Sequence, residues 1–160
     1  MLLYLYYDNY FQLYKSWGGI FMKIIYWSGT GNTENMANLI ASGIGEEEKT
    51  AEVLNVANAD ASMIEDEDVV VLGCSAMGDE VLEECEFEPF IESIEGKLSG
   101  KKVALFGSYG WGSGKWMEDW EARMIAAGAT SSIDPIIVCG EPSGNSETEC
   151  IEFGRKIAKL

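Results

Sequence analysis

The stretch Ser28-Gly29-Thr30-Gly31-Asn32-Thr33 puts four short hydroxyl or amide side chains and two glycines within six residues. It follows the apolar run Lys23-Ile24-Ile25-Tyr26-Trp27 and precedes Met36, Leu39, Ile40 and Ile44, which share one helical face. Strand, glycine-rich turn and helix start make an anion site. The first N–H groups of a helix lack intrahelical partners, and the helix dipole favours negative charge beside them. Gly29 and Gly31 let the backbone approach a ligand, while Ser28, Thr30, Asn32 and Thr33 add donors. No Lys follows, so a triphosphate loop ending in Gly-Lys-Ser/Thr does not fit, and the glycine spacing is not that of a dinucleotide fingerprint. A terminal monophosphate suits the stretch better; a plain strand-to-helix turn is the alternative.

Two further stretches, Ser75-Ala76-Met77-Gly78-Asp79-Glu80 and Ser108-Tyr109-Gly110-Trp111-Gly112, also follow apolar runs. Gly78 accepts positive φ cheaply, so its peptide can take turns that other residues resist. Taken alone, Met-Gly-Asp-Glu is an acidic surface turn. Trp111, between two glycines at a strand end, is badly placed for a core and well placed to stack on a planar ligand.

Together the three stretches resemble the flavodoxin family. Residues 26–34 look like its phosphate loop, and residues 73–80 and 105–112 look like its two other cofactor loops, in the family's order. The resemblance covers residues 22–160 and is nearest to short-chain flavodoxins of clostridial type. It implies a non-covalent FMN, with its phosphate on Ser28, Gly29, Thr30, Gly31, Asn32 and Thr33. Ser75, Ala76, Met77, Gly78, Asp79 and Glu80 would form one wall of the flavin site. There Met77 would pack on the ring, the Gly78 peptide would offer its carbonyl to a newly protonated N5, and Glu80 would accept the N3–H. The other wall would be Ser108, Tyr109, Gly110, Trp111 and Gly112. Trp111 would stack, Gly110 and Gly112 would bring amides to the pyrimidine end, Ser108 would reach the phosphate, and Tyr109 the ribityl or ring edge. Cys139-Gly140-Glu141 lacks the amide side chains expected after the last strand, which puts contacts from that loop in doubt.

The implied activity is electron transfer rather than enzymatic turnover: a low-potential one-electron carrier shuttling between the flavin semiquinone and hydroquinone. The alternative on the same fold is an FMN-dependent NAD(P)H or quinone reductase, but no insertion builds a substrate pocket. A receiver-like module is disfavoured, because Leu72-Gly73-Cys74 stands where a phosphoacceptor aspartate would.

Composition narrows the partners. Among 160 residues, 27 acids against 11 bases give a net charge of −16, and there is no histidine. Nucleic acid and anionic membrane are excluded as partners, and basic faces of flavin or iron–sulfur reductases and oxidoreductases are favoured. Imidazole chemistry is absent. Cys74, Cys85, Cys139 and Cys150 have no metal-like spacing, and Cys74 and Cys139 end apolar runs, so reduced semi-buried thiols in a cytoplasmic monomer are expected. The acid run Asp79, Glu80, Glu83, Glu84, Glu86 and Glu88 reads as a negative rim beside the flavin edge. At about 10 Å and an effective dielectric of about 40–80, each carboxylate disfavours an added electron by roughly 0.4–0.8 kcal/mol.

Residues 1–21 carry eight aromatics, one acid and one base, and no helical or strand pattern that joins them to the rest. The expectation is translation from Met22, with the preceding codons read from AT-rich upstream DNA, or else a disordered extension; an aromatic arm for a partner or membrane surface is the alternative. Gly18-Gly19 fits a purine-rich ribosome-binding sequence at the right spacing. The remaining residues, 22–160, form one domain.

The elements that must position the three stretches alternate. Apolar runs at 23–27, 51–56, 68–73, 102–107 and 133–139 read as strands of a buried parallel sheet. Met117, Trp120, Met124 and Ala127 give one helix its core stripe, ended by Gly128, and Cys150, Phe153 and Ile157 do so for the last. The predicted fold is α/β, a flavodoxin-like, three-layer, doubly wound domain with a five-stranded parallel sheet in the order 2-1-3-4-5. Its ligand crevice lies at the carboxyl ends of the first, third and fourth strands.

Overall fold

Strands apolar on both faces need helices on both sides, and the computed structural model, which describes residues 21–160, has that layering. Strand β1 (Phe21–Trp27) leads into helix α1 (Asn32–Glu46), and β2 (Thr50–Asn55) is followed by two short 3-10 turns and then β3 (Val69–Cys74). Helix α2 (Phe87–Ile94), β4 (Lys102–Tyr109), α3 (Lys115–Ala126), β5 (Thr130–Ser131), β6 (Ile136–Cys139) and α4 (Asn145–Ala158) complete the chain. The expectations for residues 1–20 lie outside the described residues; Phe21 opens β1, opposite Thr50.

All pairings are parallel, in the order β2-β1-β3-β4, with β5 and β6 sharing the last position beside β4. The predicted order therefore holds, but the fifth strand is broken. Ser131 pairs with Val103 and Ile136 with Phe106, so five residues of one edge span three of the other. The extra chain contains Asp134-Pro135, and a proline has no N–H for the ladder. The expected run at 133–139 accordingly enters the sheet only at Ile136.

Side chains alternate between two cores. Ile25, Val70, Leu72, Val103 and Leu105 face α2 and α3, where Phe87 meets Trp120 edge-on at 5.4 Å and 89°. Ile24, Val71, Ala104 and Phe106 face α1 and α4. The α3 stripe includes Trp116 besides Met117, Trp120 and Met124, whereas Ala127 is only half-buried. Gly128, at φ 100°, closes that helix as expected, with its N–H on the Ile125 carbonyl at 3.0 Å.

On the opposite face α1 and α4 approach backbone to backbone. A Cβ at Gly43 would stand 2.0 Å from the Ile151 carbonyl oxygen, and one at Gly154 would stand 2.1 Å from that of Ile40. Only glycine permits this approach, which packs α4 directly against α1, the helix whose N-terminus carries the first loop.

Candidate functional site

The loop after β1 is closed by its own serine: Gly31 N–H donates to Ser28 Oγ at 3.1 Å. Gly31 then takes φ 94° and caps α1, and no side chain satisfies the first N–H groups of that helix. The first helical bond is Asn35 N–H to the Gly31 carbonyl at 2.9 Å, so the amides before it point into the loop. Glu34, an acid in this first turn, engages the Tyr26 phenol. Burial first, and then that carboxylate, push the phenol's pKa up.

Beneath the loop a line of hydrogen bonds joins four strand ends. Thr33 is fully buried, its Oγ1 2.7 Å from Ser75 Oγ and accepting the Ser108 N–H at 3.2 Å. Ala76 N–H donates to the Ser108 carbonyl at 3.0 Å. Ser108 Oγ donates to the Gly140 carbonyl at 2.7 Å, and Gly140 N–H to that of Tyr109 at 2.8 Å. The Thr33 and Ser108 hydroxyls, read from sequence as phosphate donors, are thus engaged in joining loops. Cys74, at the end of β3, is buried, and loss of solvent pushes its thiol up to about 12, which leaves it inert.

The second loop is a tight turn: Met77 and Val81 exchange both backbone bonds at 2.9 Å. Gly78 within it has φ 49° and Glu80 has φ 54°. For a glutamate that backbone costs on the order of 1–3 kcal/mol and persists only where other contacts over-determine it. They do: Glu80 Oε1 accepts the N–H groups of Ser113, Gly114 and Lys115 at 3.0, 2.9 and 3.0 Å. Further along, buried Glu83 accepts from Cys85, Glu86 and Phe87 at 2.7, 2.8 and 2.9 Å and so starts α2. Burial alone would push the Glu83 carboxyl up. The N–H groups of Phe87, Glu86 and Cys85 outweigh that and hold it below the usual carboxylate range. Glu88 pairs with Arg123 at 2.6 Å. The run read as a negative rim beside the flavin edge therefore divides. Glu80, Glu83 and Glu88 hold the structure together, and Asp79, Glu84 and Glu86 are exposed.

Between these loops lies a crevice of about 240 Å³. Gly29, Thr30, Asn32, Ser75, Ala76, Met77, Ser108, Tyr109 and Gly110 line it, as do two residues the sequence reading left out, Trp27 and Gly140. Trp27 packs under Gly29, where a Cβ would meet its ring at 2.9 Å, and its place as the last residue of β1 was the available signal. Gly140 had been set aside with its loop, although a glycine at a strand end, here at φ 72°, marks a turn toward the site. Ser28, Gly31 and Thr33 support the crevice from behind. Gly78, Asp79, Glu80, Trp111 and Gly112 stand at its rim rather than in its lining. A Cβ on Gly112 would lie 2.5 Å from Glu80 Cδ, so this glycine makes room for a carboxylate.

Among the described residues four large apolar side chains are exposed, and three of them, Met77, Val81 and Trp111, stand on the two upper loops. Trp111 is 64% exposed. Covering such a ring contributes on the order of 1–3 kcal/mol, so a planar ligand has an apolar face to bind.

The family model described as flavodoxin matches residues 24–154. The chain belongs to the flavodoxin family. It is 60% identical over 139 residues to the flavodoxin of Clostridium beijerinckii, spanning 87% of this chain and 100% of that one. It is 45% identical over 138 residues to that of Megasphaera elsdenii, spanning 86% and 98%. The solution structure of two-electron reduced Megasphaera elsdenii flavodoxin superimposes with a TM-score of 0.78 at 42% identity, over 87% of this chain and 99% of that one.

As a flavodoxin the protein is an FMN-binding electron carrier. The residues present fit that cofactor. The free amides of α1 and the neutral hydroxyls of the first loop suit a phosphate, and the bare Met77 and Trp111 suit a flat ring. No helix among the described residues is long and apolar enough to cross a membrane.

Proposed function

We propose that the protein carries single electrons at low potential on a non-covalently held FMN and docks on the basic faces of redox enzymes as a monomer. One observation carries this reading: a single crevice has uncapped helix amides at one end and two exposed apolar side chains at the other. FMN, when bound, supplies the redox chemistry.

The protein's residues bind and orient. Amides 32–34, with Thr30 and Asn32, would hold the phosphate by directed bonds without a cation, which would select FMN over riboflavin. Met77 and Trp111, both exposed beside the crevice, would cover the ring and exclude water from it. The Gly78 peptide, which a glycine lets turn either way at its left-handed φ, would offer its carbonyl to the ring. Asp79, Glu84 and Glu86 are exposed and form no ion pair among the described residues, and a carboxylate about 10 Å from the ring would disfavour an added electron by roughly 0.4–0.8 kcal/mol.

The test is visible spectroscopy during stepwise anaerobic reduction of the purified protein. The expected result is bound FMN reduced in two resolved one-electron steps, with NAD(P)H alone leaving it oxidised. Rapid bleaching by NAD(P)H without a partner overturns the carrier reading in favour of a reductase.

A further inference from the structure

Strand β6 ends the sheet, and among the described residues no strand pairs with its outer edge. Gly140 fixes the phase of its ladder, because its N–H reaches the Tyr109 carbonyl of β4. Backbone groups alternate in direction along a parallel strand, so Ile136 and Val138 also turn theirs to β4. The N–H and C=O groups of Ile137 and Cys139 therefore point outward, with no partner among the described residues. Beside this edge, between β6 and α4, runs a groove of about 400 Å³, larger than the crevice between the loops. Ile136 and Phe153 line it together with Asp134, Glu149, Glu152 and Lys156. Glu152 is paired with Arg155, whereas Asp134 and Glu149 are exposed and form no ion pair among the described residues.

We propose that the outer edge of β6 docks an extended segment of a partner protein, β-branched at its centre and flanked by lysine or arginine, which adds a strand to the sheet. Such a segment bonds to the free groups of Ile137 and Cys139, lays an apolar side chain against Ile136, and meets Asp134 and Glu149 with its cations. A second copy of this chain does not suit the edge. Antiparallel pairing of two β6 strands would bring Asp134 near the second copy's Glu141, between chains that each carry −16. Strand β2 is the sheet's other edge, but β6 runs into Gly140, which lines the crevice, so a segment laid along β6 leads to the site. The proposal does not rest on the FMN reading and involves neither Glu84 nor Glu86.

NMR on the full-length protein tests this with a blocked synthetic peptide, Lys-Thr-Val-Thr-Val-Thr-Lys, and its counterpart with glutamate at both ends. Without peptide, the amides of Ile137 and Cys139 should exchange faster than that of Val138. The lysine peptide should shift the signals of residues 134–139 and 148–156 and slow exchange at Ile137 and Cys139 by about fivefold or more. The glutamate peptide should bind about tenfold more weakly, and added salt should narrow that gap. Cys139→Pro removes an outward N–H that β4 does not use, and should weaken the lysine peptide by about fivefold. Glu149→Lys, an exposed change on α4, should weaken it by about threefold. Equal protection of Ile137 and Val138 without peptide would mean that the edge is already covered, and overturns the proposal. So do an absence of shifts at millimolar peptide, shifts confined to the neighbourhood of Glu84 and Glu86, and equal binding of the two peptides. Unchanged affinity in Glu149→Lys also overturns it, and decides the matter even where Cys139→Pro fails to fold. Protection of Ile137 and Cys139 that disappears on dilution of the protein alone assigns the edge to a second copy and overturns the basic partner.

Discussion

Lys23 and Glu67, at the amino end of the sheet, meet at 2.6 Å with each side chain 14% exposed, whereas Glu83, at the carboxyl end, meets three backbone N–H groups and no cation. The contrast extends to their neighbours. At the amino end Lys97 pairs with Glu65, Arg155 with Glu46, and Lys159 with Glu47, and Lys101 Nζ donates to the carbonyls of Glu65 and Glu67. At the carboxyl end Glu80 and Glu83 are satisfied by the starts of α3 and α2. A carboxylate held by an ammonium leaves its surroundings near neutral. One held by amides is equally well satisfied and keeps the net charge. The site end is thus strongly negative without leaving a buried acid unsatisfied.

Replacing Glu83 by Ala tests this contrast hardest. It orphans three amides at a buried helix start and should cost on the order of 2–4 kcal/mol in urea unfolding at pH 7. A loss no larger than that of an exposed acid would reduce the carboxyl-end bonds to ornaments of a solvated rim. The same group has a signature in pH. Its folded pKa is depressed, so its stabilisation is present above the ordinary glutamate value of about 4.3 and fades as pH falls through the lower folded value. The gap in unfolding free energy between wild type and Glu83→Gln should therefore shrink on acidification below about pH 4. A constant gap would mean that geometry, not charge, holds the turn.

At the other end Lys23→Met strands Glu67 in a largely buried place and should cost about 1–3 kcal/mol. That loss should be smaller than that of Glu83→Ala; the reverse order would make the cation-paired end the more dependent on its acids. The smallest stability effect belongs to Glu84 and Glu86. Their reversal to Lys should move unfolding by no more than about 0.5 kcal/mol. It should nonetheless slow electron exchange with a basic partner, and the wild-type rate should fall as salt rises. Rates indifferent to both would place docking away from this end.

What could be read in the sequence was local. A strand, its glycine loop and the helix after it lie within two dozen residues, so the first loop and the order of the strands follow from runs and spacing. Glu83 was legible only as one of six acids, because its partners depend on where α2 begins. Glu80 was assigned to a ring edge by resemblance, and its hold on α3, more than thirty residues away, has no sequence signal except Gly112, whose reason is the carboxylate itself. Thr33 and Ser108 looked like ligand donors since hydroxyls near glycines usually are; burial turned them inward. The broken fifth strand was written in Pro135, but an apolar run starting at Ile133 outweighed it. Cys139 ends that run and is exposed, for an edge strand covers one side of its last residue poorly.

The glycine contact between α1 and α4 has a consequence for synthesis. Helix α1 and the first strand emerge from the ribosome early, yet the face they offer is covered by Cys150, Phe153 and Ile157, which are made last. Until α4 has been added, a nascent chain covers Met36, Ile40 and Ile44 on their sheet side alone. A ribosome stalled before the last helix would therefore present α1 packed on one side only, with the glycine faces of Gly43 and Gly154 unmatched.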